Sequence, residues 1–314
     1  MLTAVFASLG LIIAAGIGYL VVLNNTVTSN VQKASLLPPA DVSIPAPTRA
    51  ESAKNSLNFL LLGSDSRGSG DTGRSDVIVL VHISDDRKSV HLVHFPRDLY
   101  VDIPGHGKNK INAAYAFGGV PLLVRTLQNL VNLPIDHVAL IDFEGFKAMT
   151  DAVGGVDVVV AEGSSAFPKG TMHMNGEQGL AFVRERYALS QGDISRGQRQ
   201  QAFIKAVMLK GLSKETLLNP IQLARFVNAA TANLTVDETL EVSKMRDLAF
   251  ELRDLRGGDI RFITAPWTGV GTSPSGASIV IASFPQLEVL GEALRTDTMA
   301  TYRDDVSPKS GFGN

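Results

Sequence analysis

The chain has 314 residues, a formal net charge of −2 and no cysteine. The chain has no global excess of basic residues that would indicate nucleic-acid binding, and the absence of cysteine excludes disulfides, thiol nucleophiles and cysteine-ligated metals. The length allows one large domain with a substantial core, together with appended segments.

The N-terminal segment is apolar, and residues 2–23 carry no charged side chain. A helix of about 20 apolar residues spans the hydrocarbon core of a bilayer. A cleaved signal peptide would have a shorter apolar run followed by a small-x-small site, and no such site follows directly. We therefore expect an uncleaved transmembrane anchor over residues 1–24, with the rest of the chain outside the cytoplasm.

The next segment, residues 25–55, is polar and contains Pro38, Pro39, Pro45 and Pro47. This composition favours a semi-extended linker that holds a domain away from the membrane. We expect the domain itself over residues 56–300 and a flexible tail over residues 301–314.

Three short apolar runs begin the domain, at residues 58–62, 77–83 and 90–94. If these runs are strands joined as consecutive hairpins, the end of the first, the start of the second and the end of the third lie on one edge of a sheet. That edge would carry Asp65, Asp76 and Arg97, with Arg67 and Arg74 in the connecting loop. Carboxylates bind hard divalent cations and guanidinium groups bind phosphate oxygens, so the pattern predicts a cation–phosphate site.

Two other interpretations of the connecting loop are rejected. Residues 68–73 match the spacing G-x-G-x-x-G, but that dinucleotide motif must open a helix, and an apolar strand resumes here instead. Ser64 and Ser66 flank Asp65 without an identifiable histidine base, which argues against a serine hydrolase. The six histidines show no metal-ligand spacing, and we expect them in core or edge positions.

The remaining pattern alternates helices and strands. Helical spacing is present at residues 112–117, 120–130, 143–152, 194–212, 220–232, 236–255 and 284–294, and strand-like runs at 138–141, 156–160, 259–264 and 278–282. Asn175 with Gln178 predicts a capped helix start between them. This order predicts an α/β fold, an α-β-α sandwich around a central mixed sheet preceded by the transmembrane helix.

A second group of polar residues lies on the helix expected to begin at Asp193. Its members follow i, i+3, i+4 spacing: Arg196, Arg199 and Gln200. Such a group can be a solvated basic face, but Phe203 and Val207 continue the row from Arg199 and turn that face toward protein.

Arg184 and Arg186 form a third group. On an ideal helix the two side chains point apart, so both reach one phosphate only if the helix ends there or the segment is extended. The sequence leaves this point open.

Taken in order, these motifs resemble those of the LytR-CpsA-Psr family of bacterial cell-envelope proteins. They are Gly63-Ser64-Asp65-Ser66-Arg67, Arg74-Ser75-Asp76, Pro96-Arg97-Asp98, Lys110-Ile111-Asn112-Ala113-Ala114-Tyr115, Asn175-Gly176-Glu177-Gln178, Arg184-x-Arg186 and Asp193-x-x-Arg196-x-x-Arg199-Gln200. The resemblance covers residues 56–210, and residues 211–314 fit the family loosely.

The resemblance implies a single membrane anchor, an external α/β domain and an apolar tunnel for a polyprenyl chain, with helices of residues 120–150 in its lining. It implies a Mg²⁺-dependent phosphotransferase that moves a glycopolymer from a polyprenyl-pyrophosphate carrier to peptidoglycan. Asp65 and Asp76 would then bind Mg²⁺ (or Mn²⁺), and both would be catalytic together with Arg97, Arg184 and Arg186. The pyrophosphate would be bound by Arg67, Arg74, Arg97, Arg184, Arg186, Arg196, Arg199 and Gln200.

Two alternatives use the same residues. A membrane-anchored pyrophosphatase would take water as the acceptor, and a regulator would bind polyprenyl phosphate without catalysis. The general base is open between Asp98 and Asp193, either of which can instead orient a neighbouring arginine.

Overall fold

The fold is given by a computed structural model that describes residues 18–39, 47–64, 75–185, 188–190 and 193–307. The strands are β1 (Gln32–Ala34), β2 (Leu57–Ser64), β3 (Ser75–Ile83), β4 (Val90–His94), β5 (Leu99–Ile103), β6 (Gly107–Lys110), β7 (His137–Asp142), β8 (Val156–Val160), β9 (Gly170–Met174), β10 (Leu234–Asp237), β11 (Ile260–Thr264), β12 (Trp267–Thr272) and β13 (Ser278–Ala282). The helices are α1 (residues 18–30), α2 (Asn112–Val131), α3 (Phe143–Ala152), α4 (Gly176–Arg184), α5 (Asp193–Gly211), α6 (Lys214–Leu217), α7 (Pro220–Ala232), α8 (Val242–Glu251) and α9 (Phe284–Arg295).

A mixed sheet forms the centre of the fold. Within the described residues it has seven strands in the order β1-β10-β7-β2-β3-β4-β11. β2, β3 and β4 are antiparallel neighbours, with Gly63 opposite Val77 and Val79 opposite His94. These pairings confirm the predicted consecutive hairpins and the mixed α/β fold.

One edge of this sheet, hereafter the rim, collects strand ends from distant parts of the sequence. β7 runs parallel to β2 and pairs Asp142 with Ser64. β11 runs parallel to β4 and pairs Thr264 with His94. The rim therefore contains the C-terminal ends of β2, β4, β7 and β11 and the first residues of β3.

The first face of the sheet, hereafter the α2 face, is closely packed. It is covered by α2, α9 and a second sheet of order β12-β13-β5-β6. Leu60, Leu62, Ile78 and Leu80 alternate along β2 and β3 toward this face, and each is at most 2% exposed. Such burial makes this layer the main source of stability.

The second face, hereafter the α5 face, is covered by α5 and α8. Under β3 and β4 it is buried, but along β2 and at the start of β3 it is not fully covered, since Phe59, Leu61 and Val77 remain partly exposed. Helix α8 contributes no buried residue. The two faces thus differ in how completely their apolar side chains are covered.

A smaller unit lies beside the sheet, where the β8–β9 hairpin packs with α4 and α5. Phe182 and Phe203 form its fully buried centre. A Cβ at Gly179 would lie 2.2 Å from the Phe203 ring, so this contact between α4 and α5 requires glycine.

Several elements differ from the prediction. Residues 25–30 are helical and β1 pairs with β10, so part of the segment expected as a linker packs on the domain, and Leu36 joins the core. The predicted helix over 236–255 was wrong at its start, because residues 234–237 form β10 and α8 begins only at Val242. Strand pairing overrides the helical spacing there: the Asp237 carboxylate accepts hydrogen bonds from His137 and from the backbone of Val138.

The N-terminal helix is described from residue 18 onward, and residues 1–17 of the predicted anchor lie outside the described part. Among the residues that the structure describes, no helix is both long and apolar enough to span a bilayer. Leu20, Val21 and Val22 of α1 are exposed, while the Tyr19 hydroxyl donates to the Pro220 carbonyl at the start of α7 (2.7 Å).

Candidate active site at the sheet rim

The rim is where the sequence placed its predicted cation site. Gly63 pairs with Val77 across β2 and β3, so the strand ends leading to positions 65 and 76 are neighbours. Asp65, Arg67 and Arg74 fall within residues 65–74, outside the described residues, and the side chain of Asp76 is not described either.

The metal prediction therefore stays a prediction. Among the side chains that the structure does describe, no group of three or more His, Asp or Glu is arranged to hold a metal ion. Two carboxylates at adjacent strand ends remain a suitable donor set for a hard divalent cation.

Arg97 follows the last strand of the triple hairpin. β4 is extended by one further contact, since the Phe95 amide donates to the Ile78 carbonyl (2.9 Å). The chain then leaves the sheet, and the Arg97 carbonyl accepts a hydrogen bond from the Asn112 amide (3.2 Å). This anchors the arginine between the rim and the start of α2.

The Arg97 side chain is oriented by an acidic neighbour. Its Nε lies 3.8 Å from the Asp98 carboxylate, whose other oxygen lies 2.8 Å from Lys110 Nζ. Arg97 and Asp98 side chains are only 17% and 14% exposed. Asp98 therefore sits between two cations, which supports an orienting role for this carboxylate.

A cavity of about 360 Å³ opens beside Arg97. It is lined by Arg97, Asp98, Asn109, Lys110, Asn112, Ala113, Ala116 and Phe117. The sequence motif from Lys110 to Tyr115 thus forms one wall of the cavity next to the predicted site.

Helix α5 crosses the rim from the other side. A Cβ at Gly197 would lie 2.5 Å from the His94 ring, and Gln201 Nε2 donates to Thr264 Oγ1 (3.0 Å) at the end of β11. Gly197 permits the close approach of α5 to His94, and this approach brings Arg196 to the strand end that leads to Arg97.

The positive charge of Arg196 acts on His94 at the rim. Burial, followed by the positive charge of Arg196, lowers the pKa of His94 to about 4. His94 is therefore neutral near pH 7, and the positive charge at this point of the rim belongs to the arginine. Arg196 itself is 8% exposed.

Arg199 is buried more completely than Arg196, at 1% against 8% exposed, and Gln200 is 6% exposed. The Arg199 guanidinium pairs with the Glu185 carboxylate, donates to the Glu162 carbonyl (2.9 Å) and lies 4.5 Å from the centre of the Phe182 ring. Gln200 Nε2 lies 3.5 Å from the Val183 carbonyl. Both side chains are buried, an arrangement that supports the wall of the site from behind.

The structure answers one part of the open question about Arg184 and Arg186. The helix ends at Arg184, and Glu185 is extended, with φ −64° and ψ 131°. The Glu185 carboxylate accepts a hydrogen bond from Ser164 Oγ (2.8 Å) and faces Arg199, whereas Arg184 is exposed. The obstacle posed by an ideal helix is absent, although Arg186 lies outside the described residues.

Sequence reasoning missed the acids behind this wall. Glu162 accepts hydrogen bonds from Ser195 Oγ (2.6 Å) and from the Ser190 amide (2.5 Å). Burial raises the pKa of Glu162, but these hydrogen bonds outweigh it and hold the pKa below its usual range. Glu162 has no motif around it, while Glu185 was visible between two arginines and was left without a role.

The family model described as the LytR_cpsA_psr family matches residues 19–296. The chain therefore belongs to the LytR-CpsA-Psr family, as its motifs predicted.

Two relatives are similar to parts of this chain. The polyisoprenyl-teichoic acid–peptidoglycan teichoic acid transferase TagU of Bacillus cereus is 40% identical over 194 residues, covering 60% of this chain and 64% of TagU. The cell wall biosynthesis protein LcpA of Corynebacterium glutamicum is 29% identical over 297 residues, covering 77% of this chain and 57% of LcpA. The chain thus spans less than two thirds of the length of these relatives.

Solved structures share the fold. TagV of B. subtilis superposes with a TM-score of 0.66 at 26% identity, covering 78% of this chain and 98% of TagV. TagT bound to LI-WTA superposes with a TM-score of 0.65 at 27% identity, covering 85% of this chain and 98% of TagT.

Proposed function

We propose that this protein is a phosphotransferase that moves a glycopolymer from a polyprenyl-pyrophosphate carrier to peptidoglycan. The observation that carries the proposal is the convergence of Arg97 and Arg196, from distant segments, at one rim of the sheet. Family membership and the transferase name of the TagU relative support it.

The lipid part of the carrier fits the α5 face. Val77 at the start of β3 and Leu61 and Phe59 of β2 form a partly exposed apolar row that runs from the rim. Partly buried apolar residues lie opposite this row. They are Ile204 and Met208 of α5, Met245 and Leu248 of α8, and Leu252 directly after α8. Covering such a row with a hydrocarbon chain is favourable at about 25 cal/mol per Å².

This placement differs from the tunnel implied for helices of residues 120–150. The α2 side chains Leu123, Val124 and Leu127 are at most 1% exposed and fill the closed core of the α2 face. A polyprenyl chain would have to displace them there, whereas the row along β2 is already incompletely covered.

The pyrophosphate would be bound at the rim by arginines. Arg97, Arg184 and Arg196 supply guanidinium groups that pair with phosphate oxygens, and Arg67, Arg74 and Arg186 would add to them. Arg199 and Gln200 would hold this wall in place from within. Asp98 would keep Arg97 oriented.

Asp65 and Asp76 would hold Mg²⁺ (or Mn²⁺), which when bound neutralises charge on the phosphate oxygens. The protein's own contribution is positioning. The acceptor hydroxyl gives its proton to a general base, for which Asp98 and Asp193 are the candidates, and its oxygen forms a bond to the sugar-linked phosphorus as the bond to polyprenyl phosphate breaks. The arginines stabilise the charge of that leaving phosphate.

The carrier is a membrane lipid, so the site must work close to a bilayer. We propose that residues 1–24 anchor the chain as a single-pass helix, with the catalytic domain on the outer side of the cell membrane. The uncharged run of residues 2–23 supports this placement.

The test uses the full chain with a polyprenyl-pyrophosphate-linked oligosaccharide, Mg²⁺ and peptidoglycan. We expect label from the oligosaccharide to appear in peptidoglycan through a phosphodiester. Phosphate release that added peptidoglycan fails to divert would identify a pyrophosphatase, and carrier binding without any turnover would identify a regulator.

Arg97→Ala tests the role of the rim within this assay. Loss of one preorganised electrostatic partner costs about 3 kcal/mol, so the transfer rate should fall about a hundredfold. Arg225→Ala, which removes an exposed arginine of α7, is the control and should transfer at the wild-type rate. Equal rates for both variants would remove Arg97 from the mechanism.

A further inference from the structure

The cavity beside Arg97 has a composition that the pyrophosphate does not explain. Besides Arg97 and Ala113, its walls are formed by Asp98, Asn109, Lys110, Asn112, Ala116 and Phe117. The Asp98 carboxylate lies against both Arg97 and Lys110, so the charge of this lining is partly neutralised, and the amides of Asn109 and Asn112 make up the rest of its polar surface. Such a lining favours an uncharged polar ligand over a second phosphate.

Its polar side suits hydroxyl and amide groups. The Asp98–Lys110 ion pair (2.8 Å) is mostly buried, with side chains 14% and 26% exposed, so its atoms are held in place. Asn109 and Asn112 add amide donors and acceptors. A set of acceptors and donors around a small cavity can bind vicinal hydroxyls, each of which both donates and accepts.

Its apolar side is an exposed aromatic ring. Phe117 is 47% exposed and stacks on His106 at 4.6 Å with an interplanar angle of 16°. Helix α2 is broken directly after it, at Gly118 and at Gly119, which has φ +65°. This break, built on a glycine conformation, fixes an apolar ring at the mouth of a polar cavity, where the C–H face of a sugar ring can lie against it.

The position of the cavity indicates which sugar it takes. It is built from β6 and α2, on the α2 side of Arg97, whereas the proposed lipid row lies on the α5 face. In an in-line displacement the attacking oxygen enters opposite the leaving group. The acceptor must therefore approach from the side facing away from the lipid.

From this geometry we infer that the cavity binds an N-acetylated amino sugar of the peptidoglycan acceptor strand and holds its hydroxyl toward the phosphorus at Arg97. The inference rests on the proposed function, because it uses the direction of the leaving polyprenyl phosphate. At about 360 Å³ the cavity has room for one such sugar unit.

The test fills the cavity with a larger side chain at an exposed position of its lining. Ala116 is exposed on α2, so Ala116→Phe occupies part of the cavity without displacing a core side chain. Ala232→Phe makes the same change at an exposed position of α7 and is the matched control. Phe117→Ala is a second variant that removes only the stacking surface.

Two assays are run on the full chain of each variant. Saturation-transfer NMR measures binding of an N-acetylglucosamine–N-acetylmuramic acid tetrasaccharide without any donor. Steady-state transfer assays give KM for the acceptor and for the polyprenyl-pyrophosphate donor separately, and thermal unfolding confirms that each variant is folded.

We expect Ala116→Phe to abolish tetrasaccharide binding and to raise the acceptor KM at least tenfold, with donor KM within twofold of wild type. Phe117→Ala should raise the acceptor KM three- to tenfold, and Ala232→Phe should leave both values unchanged.

Unchanged tetrasaccharide binding and acceptor KM in Ala116→Phe would overturn the inference while leaving the transferase proposal standing. A rise confined to the donor KM would also overturn it, since the cavity would then hold a donor sugar. Wild-type protein that binds the tetrasaccharide but transfers nothing would refute the proposed function and, with it, the acceptor role of the cavity.

Discussion

The two faces of the central sheet carry similar apolar side chains but are covered differently. On the α2 face, Leu60, Leu62 and Leu80 are at most 2% exposed. On the α5 face, Phe59 and Leu61 of the same strand β2 remain partly exposed. Since residues alternate along a strand, the contrast arises from the covering helices and not from the strand itself.

We therefore assign stability to the α2 face and lipid binding to the α5 face. A closed layer holds the strand ends of the rim in fixed positions, as a site built on rigid elements requires. A row of incompletely covered apolar side chains beside the rim is available to a hydrocarbon ligand.

The largest effect is expected from a matched pair of truncations in neighbouring strands. Leu80→Ala on the α2 face should lower the free energy of unfolding by about 2–5 kcal/mol, because it leaves a cavity in a closed core. Leu61→Ala on the α5 face should lower it by only about 1 kcal/mol, because its side chain is already partly exposed. Urea denaturation measures both, and equal losses would contradict the asymmetry.

A smaller effect is expected from acid on the α2 face. His91 is 2% exposed, and neither ring nitrogen has a hydrogen-bond partner among the residues that the structure describes. Burial, and then the charges of His82 and Arg261, lower the pKa of His91 to about 4 from 6.5. The unfolded chain therefore binds a proton below pH 6.5 that the folded chain refuses until about pH 4, so stability falls as pH decreases through this window.

The expected loss for His91 is about 3 kcal/mol between pH 7 and pH 4. Comparing denaturant midpoints of wild type and His91→Phe over this range measures it. The variant should lose less stability on acidification, and parallel pH profiles would show that His91 does not carry the effect.

The local pattern of the sequence predicted a large part of the fold. Helix α3 spans residues 143–152 as expected, and Asn175 with Gln178 forms the predicted capping box. The consecutive hairpins were also predicted, because strand alternation and short connections are encoded within each segment.

Other features depend on tertiary contacts that no single segment encodes. β10 has four residues, and its pairing with β7 stabilises it as a strand. Its sequence shows helical spacing all the same. The Arg199 side chain points into the protein because it pairs with the Glu185 carboxylate and donates a hydrogen bond to the Glu162 carbonyl. These two partners come from separate elements. The spacing of Arg199 with Arg196 indicated a shared face but not the difference in burial between them.

The most direct test of the account is photocrosslinking with a polyprenyl pyrophosphate that carries a diazirine in its lipid chain, followed by mass spectrometry of the labelled peptides. We expect label on the α5 face, in β2 around Leu61 and in α5 and α8 around Met208 and Leu248. Label concentrated in α2 and α9 instead would contradict this placement of the lipid, because the lipid would then occupy the closed α2 face.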